Sequence, residues 1–171
     1  MAILILARHG RTSANASGVL AGRTPGVHLD DTGHAQAQAA ASRLQGASIR
    51  FAVTSPLERC RETAAELLRG TGLKAKTERG LNECDYGDWS GEKLSTLSRR
   101  KLWRTIQTQP SAAIFPGGES LSAMSARAVA AVRRHDAAVT EEHGADAVWL
   151  AVSHGDVIKS VLADALGIHL D

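Results

Sequence analysis

Aromatic residues are scarce in this chain, at 4% of 171 residues, and there are only two cysteines and four prolines. Few aromatics beside abundant alanine favour a helix-rich protein with small packing contacts. Cys60 and Cys84 lie far apart with no CxxC spacing, which points to reduced thiols and excludes a disulfide scaffold. A formal charge of +2 is too small and too scattered for a nucleic-acid binder. It still permits a local basic pocket for a small anion. No apolar run approaches the ~20 residues of a membrane span. The opening run Met1-Ala2-Ile3-Leu4-Ile5-Leu6-Ala7 lacks a positive flank and a cleavage site, so it reads as a buried strand and not as a signal peptide. A cytoplasmic protein without membrane contact is expected. No internal repeat or low-complexity linker is visible.

What is present alternates between strand and helix patterns. Residues 2–8, 49–54, 73–78 and 147–152 read as strands. Helices are expected over roughly 33–45, capped by Thr32, and from Ser55-Pro56 to Gly70 or Gly72. Others are expected over 92–110, from Glu119 to about Glu142, and over about 156–166. Residues 10–32 and 80–91 are glycine-rich loops. The alternation gives an α/β class with a mostly parallel sheet flanked by helices, whose ligands bind at strand carboxyl ends.

Those ends carry ionisable groups of complementary types. The first strand ends in Arg8-His9, the second leads to Arg59, the third to Glu83, and the last ends in His154. Arginine offers bidentate, permanently charged donors that match a phosphate monoester. A neutral imidazole is nucleophilic near pH 7, so His9 could form a phosphohistidine. A protonated His154 could stabilise the equatorial oxygens. Glu83 could protonate the leaving alkoxide and then activate water, which needs a raised pKa that the arginines oppose. His154-Gly155-Asp156 has no second ligand pair at metal-site spacing, so no metal is expected. Cys60 and Cys84 read as packing thiols, since no Cys-x5-Arg loop is present. The basic run Arg99, Arg100, Lys101 and Arg104 reads as either a solvated face or a substrate-facing lid. Trp103 is a candidate for the substrate mouth, and Arg23 for a substrate contact. The other histidines, His28, His34, His135, His143 and His169, read as surface or loop residues.

Five motifs together resemble the histidine phosphatase, or phosphoglycerate mutase-like, superfamily. They are Leu6-Ala7-Arg8-His9-Gly10-Arg11-Thr12-Ser13-Ala14-Asn15, Thr54-Ser55-Pro56-Leu57-Glu58-Arg59-Cys60-Arg61-Glu62-Thr63, and Leu81-Asn82-Glu83-Cys84-Asp85-Tyr86-Gly87-Asp88-Trp89-Ser90-Gly91. Pro116-Gly117-Gly118-Glu119-Ser120 and Val152-Ser153-His154-Gly155-Asp156 complete the set, with Gly22-Arg23 and Leu29-Asp30-Asp31-Thr32-Gly33 between the first two. The resemblance covers essentially the whole chain and implies a three-layer α/β/α domain over 1–171. It implies His9 as the phosphorylated nucleophile and Glu83 as proton donor. Arg8, Arg59 and His154 would form the phosphate pocket, with Asn15, Gly22 and Gly155 as further phosphate-binding positions and no cofactor or metal.

Within that family the chain is similar to short actinobacterial phosphomutases and phosphatases. Arg11 stands where glycolytic mutases carry Glu or Gln, and Ala21 where they carry a substrate-binding Thr. The stretch from Glu83 to Pro116 is too short for their substrate-binding insert. These departures favour a phosphatase acting on a small phosphorylated metabolite. A phosphomutase is the alternative, and a non-catalytic phosphoester binder a more distant one. Family members run further than Asp171, so a missing closing strand, an open sheet edge and a homodimer are expected.

Overall fold

The computed structural model describes residues 1–171. In chain order the elements are β1 (Ile3–Arg8), α1 (Ser13–Ala16), α2 (Asp31–Arg43), β2 (Ile49–Thr54), α3 (Glu58–Leu67), β3 (Lys76–Thr77), α4 (Leu94–Leu97), α5 (Lys101–Thr108), α6 (Leu121–His143), β4 (Val148–Ser153) and α7 (Gly155–Leu166). The four strands form one sheet in the order β1-β4-β2-β3, and every pairing is parallel. No helix is long and apolar enough to cross a membrane.

The period of two along β4 divides the core. Trp149 and Ala151 face one cluster, which holds Met124 and Ala128 of α6 and Val157 and Val161 of α7. Leu150 and Val152 face the other, which holds Cys60, Ala64 and Leu67 of α3. β1 splits likewise, with Leu4 and Leu6 on the first side and Ile5 and Ala7 on the second. Two helical layers therefore enclose the sheet. In β2 the register shifts between Ile49 and Phe51. That bulge lets Ile49 share a face with Ala52 while Phe51 packs beside Trp149. β1 pairs with β4 alone, so its outer edge is free and Ile3 is half exposed.

Several boundaries differ from the sequence expectation. Asp30, not Thr32, caps α2, because its carboxylate accepts from the Gly33 N–H at 2.8 Å. Pro56 precedes α3 instead of opening it, since extended Leu57 is the N-cap. The single helix expected over 92–110 is two, α4 and α5, joined through an extended Arg100. The third strand shrinks to two residues, Lys76 and Thr77, paired with Val53 and Thr54.

One close backbone approach ties α2 to the loop after β1. A Cβ on Gly33 would lie 2.0 Å from the Arg11 carbonyl oxygen, and one on Gly10 would lie 2.5 Å from the Gly33 oxygen. Both obstacles are backbone, so nothing flexible can yield. Gly33→Ala is expected to cost about 1–3 kcal/mol of stability, as overpacking does, and to displace the His9 loop. Chemical denaturation checks this. An unchanged midpoint would show that the contact relaxes freely.

Candidate functional site

β1 and β4 end side by side, with Arg8 paired to Ser153, and the His9 N–H donates to the Ser153 carbonyl at 3.1 Å. The next residue is held by α3: the Gly10 N–H donates to the Thr63 hydroxyl at 3.1 Å, and that hydroxyl donates to the Arg59 carbonyl at 2.7 Å. Arg59 and Thr63 are one helical turn apart, so one face of α3 fixes the His9 loop and also presents Arg59.

The His9 ring is buried. Its Nδ1 lies 2.8 Å from the Gly10 carbonyl oxygen, an acceptor only, so Nδ1 carries the proton. The Nε2 lone pair is then free and accepts from Arg59 Nε at 3.3 Å. Burial above all, with the Arg59 and Arg8 charges, lowers the His9 pKa to about 4 against the raising effect of the Gly10 bond. The ring is neutral at pH 7.

Arg59 is itself 2% exposed. Its Nη2 donates to the Gly22 carbonyl at 2.8 Å and lies 3.3 Å from His154 Nδ1, while Nη1 is buried with no partner. An unpartnered buried guanidinium nitrogen is costly unless an anion completes it. Gly22 thus positions the arginine through its carbonyl. It has φ +53°, and a Cβ there would meet Ser90 Oγ at 2.6 Å.

His154 is fully buried, and its Nε2 lies 2.8 Å from Ser55 Oγ. Because the Arg59 N–H points at Nδ1, Nδ1 accepts and Nε2 donates to the serine. Burial, reinforced by Arg59 and His9, pushes the His154 pKa well below its ordinary value. In the resting site the ring is therefore neutral, so the stabilising role open to a protonated His154 is not filled there.

Glu83 is buried, with Oε1 accepting from the Cys84 N–H at 2.9 Å and Oε2 3.5 Å from His154 Nδ1. Burial and then the nearby Asp156 carboxylate raise its pKa to about 7, against the Cys84 N–H, Arg59 and Arg8. Desolvation therefore outweighs the arginines. Its backbone is clamped from two sides. Arg127 of α6 donates to the carbonyls of Gly80, Asn82 and Glu83, and Arg23 Nε donates to the Glu83 carbonyl at 2.8 Å. Both arginines also pair with Glu119.

Arg8, His9, Asn15, Gly22, Arg59, Glu83 and Gly155 line one cavity of about 190 Å³. His154 sits behind it against Arg59. Asn15 both caps and lines: its Oδ1 accepts from the Thr12 N–H and hydroxyl, which leaves its amide nitrogen for the cavity. Gly155 opens α7, so a helix N-terminus adds favourable partial charge for an anion.

Other expectations resolve differently. Arg23 is spent on the acid loop, and not on the cavity. None of Arg99, Arg100, Lys101 and Arg104 lines it; Arg100 pairs with Glu92 at 2.6 Å over the Trp89 ring. The basic run forms an exposed face and not a lid over the cavity. His135 is half-buried on α6 and sits 2.7 Å from Glu78, instead of on a free surface. Burial pushes the Cys60 thiol up to about 12 and raises Cys84 likewise, so neither is a thiolate near pH 7. No three His, Cys, Asp or Glu side chains converge as a metal site. The roles of Ser55, Thr63, Asp156 and Arg127 were missed. Ser55 and Thr63 lay inside the arginine motif, but nothing local shows what a hydroxyl will reach.

Residues 4–171 match the family model described as histidine phosphatase superfamily (branch 1). A 2,3-bisphosphoglycerate-dependent phosphoglycerate mutase of Brucella anthropi is 38% identical over 136 residues, 72% of this chain and 63% of that protein. The corresponding mutase of Mesorhizobium japonicum is 36% identical over 138 residues, again 72% and 63%. The match thus spans less than two thirds of the length of these curated relatives. Among solved structures, a mycobacterial glucosyl-3-phosphoglycerate phosphatase in complex with VO3 superposes with a TM-score of 0.86 at 27% identity, covering 98% of this chain and 83% of that one. The alpha-ribazole phosphatase from Shigella flexneri gives 0.81 at 30% identity, covering 98% and 81%.

Proposed function

This chain belongs to the histidine phosphatase superfamily (branch 1), and on that premise we propose that it hydrolyses small phosphate monoesters, without a metal, through a phosphohistidine on His9. The observation that carries this reading is the unprotonated His9 Nε2 held against Arg59 Nε, with Arg59 Nη1 buried and unpartnered and the Glu83 pKa raised to about 7 nearby. The phosphate dianion sits on Arg59, Arg8, the Asn15 amide and the Gly155 N–H. The His9 Nε2 lone pair attacks phosphorus, and the P–O bond to the leaving group breaks. Glu83 gives its proton to the departing oxygen. The Glu83 carboxylate then takes a proton from water, whose oxygen breaks the P–N bond and releases phosphate. His154 works as a neutral ring that holds Arg59 and borders Glu83. Splitting the displacement in two lets one arginine set stabilise both transition states.

Transfer to a second position of the same metabolite uses the same groups. Hydrolysis is favoured because the walls beyond the phosphate cavity carry a single cation, Lys159, and so offer no second arginine site for a bisphosphorylated intermediate. The two phosphatase folds named above are consistent with hydrolysis.

The experiment is phosphate release from p-nitrophenyl phosphate and metabolite esters with a chelator present. Release that persists, with no isomerised ester, supports the phosphatase. Isomerised ester without free phosphate would replace it with the mutase.

A pH profile adds a second test. The competent form needs His9 neutral and Glu83 protonated. Activity is therefore expected to rise as pH passes about 4 and to fall as it passes about 7. Glu83→Gln should erase the alkaline limb. It should slow alkyl phosphates by ~10²–10⁴-fold, the usual worth of a general acid, and p-nitrophenyl phosphate far less, because that leaving group needs little protonation. Equal losses on both esters would remove Glu83 from the acid role.

A further inference from the structure

Beside the phosphate cavity lies a second, larger one of about 420 Å³. The two share Leu20, Tyr86, Leu94 and Asp156 as common walls, so they are two ends of one cleft. The far end is walled by Trp89, Trp103, Ile106, Phe115, Leu121 and Met124. The Trp89 and Trp103 rings are nearly parallel, 17° apart with centroids 6.5 Å distant, and Phe115 stands edge-on to Trp89 at 73°. In a chain this poor in aromatics, two of its three tryptophans meet here.

The catalytic geometry says which part of a substrate this end receives. The carboxyl of Glu83 must reach the leaving oxygen. Glu83 lines the phosphate cavity together with Tyr86 and Asp156, which also wall the second cavity, and the Tyr86 hydroxyl donates to Asp156 at 2.8 Å. The leaving group therefore departs toward the aromatic end, while the phosphate stays on the arginines. The only cation at that end, Lys159, is 3.4 Å from Asp156 and its side chain is 79% exposed. A carboxylate or second phosphate there would lose water and gain no arginine. A flat apolar group would gain burial and ring stacking.

Resting on the phosphatase reading of the neighbouring cavity, we infer that the alcohol part of the substrate is an uncharged apolar group containing a flat ring, bound between α5 and the Trp89–Phe115 wall. Trp103 and Leu94 are its specificity-determining residues.

Binding tests this without requiring turnover. The His9→Ala protein is titrated calorimetrically with 2-naphthyl phosphate, phenyl phosphate and 3-phosphoglycerate. The naphthyl ester is expected to bind at least about tenfold tighter than the phenyl ester, which is about 1.4 kcal/mol, and 3-phosphoglycerate weakest. Adding Trp103→Ala or Leu94→Asp should shrink the naphthyl preference to about threefold or less. Leu94 is 39% exposed, so that variant keeps the test valid if the tryptophan change disturbs folding. Equal naphthyl and phenyl affinities, tighter 3-phosphoglycerate, or an unchanged preference in folded Leu94→Asp would overturn the aromatic subsite. Turnover by the unsubstituted protein is read separately. If no ester is hydrolysed while the naphthyl preference stands, the phosphatase reading fails and the subsite holds.

Discussion

His9→Ala is expected to abolish turnover of every phosphate monoester, by about 10⁴-fold or more, as loss of a covalent nucleophile does. No other group in the cavity can replace it. His154 is fully buried behind Arg59, and its Nε2 is committed to Ser55. The Cys60 thiol is buried and held protonated by a pKa of about 12. Of the two histidines beside the guanidinium, only His9 lines the cavity, with its unprotonated Nε2 against Arg59 Nε. Its side chain bonds only the adjacent Gly10 carbonyl and Arg59 Nε, so the alanine protein should fold. The check is rapid acid-quench of a reaction with ³²P-labelled ester. An acid-labile, base-stable label on the unsubstituted protein should vanish in the variant. Residual activity above a few per cent, or a label that survives, would remove His9 from the nucleophilic role.

Arg59→Ala carries the second-largest expected effect. Losing one preorganised donor from a transition-state anion costs about 10²–10³ in rate. Arg59 is more than one donor, since Nη1 waits for phosphate, Nη2 is set by Gly22 and Nε faces the nucleophile. A loss near the upper end, about 10³-fold in kcat/KM, is expected. Lysine should restore little, because a point charge cannot meet His9, Gly22 and phosphate at once. The pH profile separates this from simple misfolding. The Arg59 charge lowers the pKa of both His9 and Glu83. Without it both rise, so the acid limb moves up from about 4 and the alkaline limb up from about 7. Residual activity with unmoved limbs would show that Arg59 acts by packing alone.

Some of this was readable one residue at a time. His9, Arg59, Glu83 and His154 were legible because each follows a strand and only one sheet edge can collect strand carboxyl ends. The need for a raised Glu83 pKa was legible too, but its outcome was not. The sequence shows arginines that lower it; only the fold shows that burial and Asp156 weigh more. The charge of His154 was out of local reach for the same reason, since burial and Arg59, 95 positions away, hold its pKa down. The sequence reads as one helix over 92–110 because Ser98, Arg99 and Arg100 all tolerate helix. The break is imposed by tertiary packing, with Leu97 buried in the core and Arg100 drawn to Glu92.

The sequence by itself determined the layering and the order of motifs along the chain, because both rest on short-range periodicity and on turn-forming residues next to them. It determined which groups stand at the carboxyl ends of the strands, since chain order and parallel pairing allow no other place. The tertiary structure alone decided the protonation states of His9, Glu83 and His154, because desolvation depends on what packs over a group from elsewhere in the chain. It alone decided that Arg23, Arg127 and Glu119 brace the acid loop, and that two tryptophans 14 positions apart form the wall beside the phosphate. Side-chain reach and burial are long-range properties, and no local pattern encodes them.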